Sequence, residues 1–154
     1  MKRLLLIVLP LLLIVGCSKE PINIETTLVE RDGVFYTKDT NKPYTGQVFS
    51  LYDDGKKKGE GTLKDGELHG LRTSWNKNGQ KKSEGTYKDG EFHGLRTIWF
   101  ENGQMKYKGT WKNEKLDGLQ TGWYENGQKK GEATWKNGEL ISKKEWNEDG
   151  SVKE

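Results

Sequence analysis

Apolar residues are spread along the chain in two different ways. Leu4 to Val15 is a continuous apolar run broken only by Pro10. Beyond it hydrophobic residues are sparse and recur at a fixed interval. Trp75, Trp99 and Trp123 are 24 residues apart, and Trp146 follows after 23. Leu71, Leu95 and Leu119 keep the same step, as do Gly46, Gly70, Gly94 and Gly118, and a further column holds Leu63, Tyr87, Trp111 and Trp135. A fixed period of this size marks a repeat architecture in which each unit buries its apolar face only by stacking on its neighbours.

Two turn signals punctuate each unit. Asp65-Gly66 and Asp89-Gly90 form one series, and Asn78-Gly79, Asn102-Gly103 and Asn126-Gly127 the other. Asn-Gly and Asp-Gly between runs rich in Thr, Tyr and Trp are hairpin signals, because glycine supplies the positive φ that tight turns require. Gly55, Gly66, Gly79, Gly90, Gly103 and Gly127 are therefore assigned as turn glycines. No window sustains an apolar 3.6-residue period, and glycine recurs too often for helix. The pattern predicts an all-β fold: an elongated, single-layer antiparallel meander with two strands per unit and about nine or ten strands in all.

Register follows from the apolar set, since a slip of one residue turns every side chain to the opposite face. A plain two-residue loop at Asn102-Gly103 places Trp99 with Lys106 and Lys108, away from Tyr107 and Trp111. One extra loop residue pairs Trp99 with Tyr107, Thr97 with Gly109 and Leu95 with Trp111, gathering the apolar side chains on one face. The expectation is thus a three-residue loop with Gly103 in the left-handed region. The same reasoning favours a longer connection from Asp89-Gly90 to His93-Gly94. Gly61, Gly85 and Gly109 then lie on the aromatic face, and Lys82, Glu84, Thr86 and Arg96 on a solvated one.

Composition sharpens this picture. The chain is 154 residues long, 31% hydrophobic and 32% charged, with 20 glycines, six tryptophans and one cysteine. Without Lys2 and Arg3, 24 cationic side chains face 23 anionic ones. So few aliphatic residues exclude a thick core of the doubly wound kind. Buried aromatics, at roughly 150–250 Å² each, are the remaining source of burial. Near-neutral charge argues against a nucleic-acid binder. A lone cysteine excludes a disulfide framework and a cysteine-based zinc site.

That cysteine closes the opening segment. Met1-Lys2-Arg3, the apolar run and a small residue before Cys17 form a secretory signal peptide, too short to span a bilayer of about 30 Å as a helix. Ile14-Val15-Gly16-Cys17 resembles the lipobox of bacterial lipoproteins. The resemblance implies cleavage before Cys17, a diacylglyceryl group on its sulfur and an acylated N-terminus, enough acyl chains to hold a protein at a membrane. The expected organisation is a signal peptide over 1–16, the lipidated Cys17 and a tether over 17–27, and the repeat domain over 28–154. The location this implies is the bacterial cell envelope, facing away from the cytoplasm. Ser18, where aspartate would resemble an inner-membrane retention signal, favours the outer membrane in a Gram-negative cell.

The unit Gly85-Thr86-Tyr87-Lys88-Asp89-Gly90-Glu91-Phe92-His93-Gly94-Leu95, with Trp123-Tyr124-Glu125-Asn126-Gly127-Gln128-Lys129, resembles the bacterial variant of the MORN repeat. The chain is most similar to the lipoprotein and YwqK-like proteins often labelled the antitoxin component of a toxin–antitoxin module. The resemblance covers about residues 28–150. It implies an elongated twisted sheet that serves as a scaffold or binding surface without catalysis. The segment Asn113-Glu114-Lys115-Leu116-Asp117-Gly118 departs from the pattern, which puts the turn geometry there in question.

Candidate chemistry is thin. His69 and His93, the only histidines, occupy one repeat position before a turn glycine and suggest no metal site. No catalytic triad order, zincin motif or phosphate loop is present, so no cofactor, small-molecule substrate or enzymatic activity is expected. The aromatic set Trp75, Trp99, Trp111, Trp123, Trp135, Tyr87 and Tyr107 is either an internal ladder or a binding surface, since exposed apolar patches mark interaction sites. The functional expectation is a membrane-anchored scaffold that binds a partner protein. An antitoxin or immunity protein that neutralises a partner toxin, and a lipid- or glycan-surface binder, are the alternatives.

Overall fold

The computed structural model describes residues 20–153. The lipobox residues Ile14, Val15 and Gly16 and the lipidation candidate Cys17 lie outside the described residues. Chain order runs β1 (Ile22–Asn23), α1 (Ile24–Thr27), β2 (Leu28–Arg31), β3 (Val34–Thr37), β4 (Gly46–Leu51), β5 (Lys57–Lys64), β6 (Glu67–Leu68) and β7 (Gly70–Trp75). It continues with β8 (Lys81–Lys88), β9 (Glu91–Trp99), β10 (Met105–Lys112), β11 (Lys115–Trp123), β12 (Lys129–Lys136) and β13 (Glu139–Glu145). Eleven strands form one open sheet in the order β1-β4-β5-β7-β8-β9-β10-β11-β12-β13, with β6 on β5, while β2 and β3 form a separate hairpin. The all-β single-layer meander expected from the turn signals is therefore the fold. Only β1, which pairs parallel to β4, departs from antiparallel order in that sheet.

The two turn series differ in geometry. Asp89 and Gly90 both have positive φ (50° and 80°) and sit between the paired residues Lys88 and Glu91. That is the two-residue primed turn whose twist suits a hairpin. The longer connection expected here is thus corrected: the two extra residues lie inside β9, where His93, Gly94 and Leu95 stand opposite Thr86 alone as a bulge. The departing unit makes the same turn, with Asn113 and Glu114 at φ 49° and 59°.

At the other end, Gly103 (φ 86°) donates its N–H to the Phe100 carbonyl at 3.0 Å, and Phe100 donates to Gln104 at 2.8 Å. This is the three-residue loop that the sequence favoured. Its consequence for register does not follow. Trp99 pairs with Met105 and Ile98 with Tyr107, so a bulge at Lys106 takes back the extra residue. Tyr107 therefore faces Ile98, Gly109 faces Arg96 and Trp111 faces Gly94. Trp99, Thr97 and Leu95 lie on one side of the sheet, and Tyr107, Gly109 and Trp111 on the other. The physical reason is that a single-layer sheet has no dry side to favour. Lysine stems cover rings on the second face, where Lys57 Nζ lies 5.5 Å from the Trp75 ring centre and Lys81 Nζ lies 5.7 Å from that of Trp99.

Successive turns are tied to one another. Backbone N–H groups of Gly66, Gly90, Glu114 and Gly138 donate to the carbonyls of Tyr44, Leu68, Phe92 and Leu116 at 2.8–3.2 Å. At the opposite margin the side chains of Asn78, Asn102 and Asn126 donate to the carbonyls of Glu101, Glu125 and Glu148 at 3.4, 3.0 and 3.1 Å. Asn78, Asn102 and Asn126 thus each shape their own turn and hold the next.

The densest packing lies at the N-terminal end. Leu28, Tyr44, Val48 and Leu63 are buried, with Ile22, Ile24, Phe35 and Leu68 packed against them. This corrects the extent of the expected tether over 17–27. Ile22 and Asn23 pair with β4, and Ile22 and Ile24 pack against the cluster, because there they gain an apolar surface that solvent would deny them.

Candidate functional site

The two faces of the sheet carry different chemistry. On the first, the columns read from sequence are joined by a second column five residues later. Leu63 pairs with Leu68, Tyr87 with Phe92, Trp111 with Leu116 and Trp135 with Leu140 across the tight turns. The rings of Tyr87 and Phe92 are 4.3 Å apart, and Phe92 is 5.8 Å from Trp111, which makes a continuous aromatic row. Trp111 Nε1 donates to Tyr107 Oη at 3.1 Å, and Trp135 Nε1 donates to Gln120 Oε1 at 2.7 Å. Both indoles therefore keep a hydrogen-bond partner while their rings pack. Burial pushes the Tyr107 phenol up from its ordinary value, partly offset by the Trp111 hydrogen bond and the Arg96 charge.

Beside that row runs a second one. Arg72 pairs with Gly85, Gly85 with Arg96, Arg96 with Gly109, and Gly109 with Gln120. Long cationic or polar side chains thus alternate with glycines across the strands. Space above Gly85 is filled by neighbours: a Cβ there would meet the Phe92 ring at 3.1 Å. The Arg96 guanidinium lies 4.5 Å from the Phe92 ring centre. Arg96, placed on the solvated face by the sequence reading, belongs instead to the aromatic face.

The second face holds Trp75, Trp99 and Trp123 with Thr73, Thr97 and Thr121, which are buried, and Leu71, Leu95 and Leu119, which are 46–56% exposed. Lys57 with Glu60, Lys81 with Glu84 and Lys129 with Glu132 form ion pairs of 2.6–2.7 Å at the same repeat position. The seven aromatics singled out from sequence are therefore divided. Tyr87, Tyr107, Trp111 and Trp135 come together on one face, and Trp75, Trp99 and Trp123 on the other. All six turn glycines named from sequence have φ of 80–86°. His69 Nδ1 lies 3.5 Å from Asp89 Oδ1 of the next unit. Among the described residues no cluster of three histidine, cysteine or carboxylate side chains is placed to hold a metal. No helix among them is long and apolar enough to cross a membrane.

Leu68, Phe92, Leu116 and Leu140 were not singled out from sequence. Their signal was present as a 24-residue column offset from the tyrosine–tryptophan column by the span of a two-residue hairpin. Reading it required the tight Asp-Gly loop that the register argument had set aside.

Fold and surface together define a one-layer β-repeat array with an open aromatic face. Residues 68–89, 92–113 and 116–137 each match the MORN repeat variant. Repeats of this kind generally serve in scaffolding against proteins or membranes. No curated protein matches the chain.

Proposed function

We propose that this chain is a scaffold anchored in the bacterial envelope through Cys17, and that its sheet presents a binding surface to a partner protein without catalysing a reaction. One observation carries the reading. The Leu63–Leu68 pair is covered by the N-terminal segment, and Leu63 is fully buried. The equivalent pairs Tyr87–Phe92, Trp111–Leu116 and Trp135–Leu140 have no such cover among the described residues, and Leu140 is 49% exposed. An aromatic row left open is the kind of surface that interfaces use. The lipobox resemblance at Ile14 to Cys17 supports the anchor.

Photo-crosslinkers placed at Leu140 and, on the opposite face, at Lys144 test the binding role in cells that express the full chain. The expected outcome is one defined protein crosslinked from Leu140 and absent from Lys144. A captured toxin whose action the chain suppresses would make the scaffold an immunity protein. Crosslinks to lipid or glycan alone would replace the protein-binding reading. The anchor has its own test: Cys17→Ala should release the chain from membranes and abolish incorporation of labelled palmitate, and labelling that persists would refute the assignment.

A further inference from the structure

The covered first unit shows what kind of segment the open units are shaped to take. The chain that closes the first unit starts with Glu20-Pro21-Ile22-Asn23-Ile24-Glu25-Thr26-Thr27-Leu28-Val29-Glu30, of which Ile22 and Asn23 pair along the edge of β4 and the rest packs beside Phe35 and Tyr44. It supplies Ile22, Ile24 and Leu28 to the cluster. It is also acidic, and Glu25 pairs with Lys58 at 2.9 Å. Lys58 recurs as Lys82, Lys106 and Lys130 at the 24-residue step, and a second cationic row runs beside the apolar pairs. Each later unit repeats the apolar pair, and the row beside it carries the Arg72 and Arg96 guanidiniums, two strands apart or roughly 9–10 Å. Among the described residues neither arginine has a carboxylate partner. Toward the far end, a cavity of about 310 Å³ opens beside Trp135 and Leu140, floored by Gly122, Gly131 and Ala133. That volume accommodates aliphatic side chains. Charge and shape thus ask for one occupant: aliphatic side chains against the rings, with carboxylates against the guanidiniums, where paired charge-assisted hydrogen bonds give arginine its selectivity for such groups.

We propose that the aromatic face of the second to fourth units binds an acidic, aliphatic peptide segment of a partner protein, as residues 20–30 cover the first unit. This rests on the protein-binding reading above and names the chemistry of the partner. The probe is a fluorescent synthetic peptide with the sequence of residues 20–30, titrated with the purified full chain in detergent. Saturable binding is expected, weakening with added salt because Arg72 is exposed and Arg96 only half-buried. Arg96→Glu should weaken it by about tenfold or more, and so should a peptide carrying lysine for Glu25 and Glu30; combining the two changes should restore part of the loss. Arg72→Glu repeats the test at a second position should Arg96→Glu disturb folding, which circular dichroism reports. Leu95→Glu on the opposite face should leave binding unchanged. Absence of saturation up to about 1 mM peptide, equal binding by wild type and both arginine variants, or loss only in Leu95→Glu would each overturn the proposal. If the peptide fails while Leu140 still crosslinks a protein, the peptide chemistry falls and the scaffold reading stands. If both fail, both fall.

Discussion

Glu114 donates its backbone N–H to the carbonyl of Phe92 at 3.2 Å, the link that Gly90 makes to Leu68 at 2.9 Å. It does so from φ 59°, in a turn position that is glycine in the other tight turns of the array. A non-glycine residue in the left-handed region costs about 1–2 kcal/mol, and glycine gives back part of that as unfolded-state entropy. Glu114→Gly should therefore stabilise the chain by about 0.5–1 kcal/mol, raising the denaturant midpoint with unchanged slope. A lower midpoint would mean that the glutamate side chain contributes something the turn geometry does not show.

Burial is uneven along the array, and mutations should report that unevenness. Leu63 is fully buried under the N-terminal segment, whereas Leu95 is 46% exposed on the opposite face. Removing a buried leucine side chain costs about 2–5 kcal/mol through lost transfer energy and the cavity left behind. An exposed one costs within about 0.5 kcal/mol. Leu63→Ala should thus lower the midpoint steeply and Leu95→Ala hardly at all. Comparable losses would show that the leucine face is covered in solution.

The repeat, its turns and its single layer were legible because glycine and tryptophan are nearly free of competing explanations at a 24-residue step. The faces were not. Assigning Trp99 beside Tyr107 assumed that apolar side chains gather on one side, as they do when a sheet packs on a second layer. Here Lys81 lies over Trp99, and the bulge at Lys106 resets the pairing. Bulges leave almost no mark in sequence, so a correct loop length still gave a wrong face. The N-terminal cover was missed for a different reason. Ile22 and Ile24 stand among polar residues, and only their packing on Val48 and Leu63 separates them from a tether.

The asparagine ladder supplies a third prediction. Asn102 accepts from the Gln104 N–H at 2.9 Å and donates to the Glu125 carbonyl at 3.0 Å, so one side chain shapes its own turn and ties down the next. Each exposed hydrogen bond contributes about 0.5–1.5 kcal/mol. Asn102→Ala should cost about 1–2 kcal/mol, and Asn102→Asp, which keeps the acceptor and loses the donor, about half of that. Hydrogen exchange should speed up at the Asn126 turn as well as at residue 102. Exchange confined to the mutated turn would show that neighbouring turns are not coupled.

Tyr107 sets the response to alkali. Burial raises its phenol above the ordinary value near 10, with the Trp111 hydrogen bond and the Arg96 charge opposing the rise. A raised folded-state value means that the unfolded chain gives up the proton first. The contribution of Tyr107 to stability is thus complete below the unfolded value and drains away as pH climbs through the folded one. Stability should fall as pH rises past about 10, and the fall should be shallower in Tyr107→Phe, which has no phenol to ionise there. At neutral pH the same variant leaves Trp111 Nε1 without its acceptor and should cost about 1 kcal/mol. Absorbance titration of phenolate should show one fewer group ionising above the ordinary range in the variant. If wild type and Tyr107→Phe lose stability in parallel above pH 10, the alkaline limb belongs to other groups, and the packing of Tyr107 against Trp111 is looser than a 3.1 Å hydrogen bond requires.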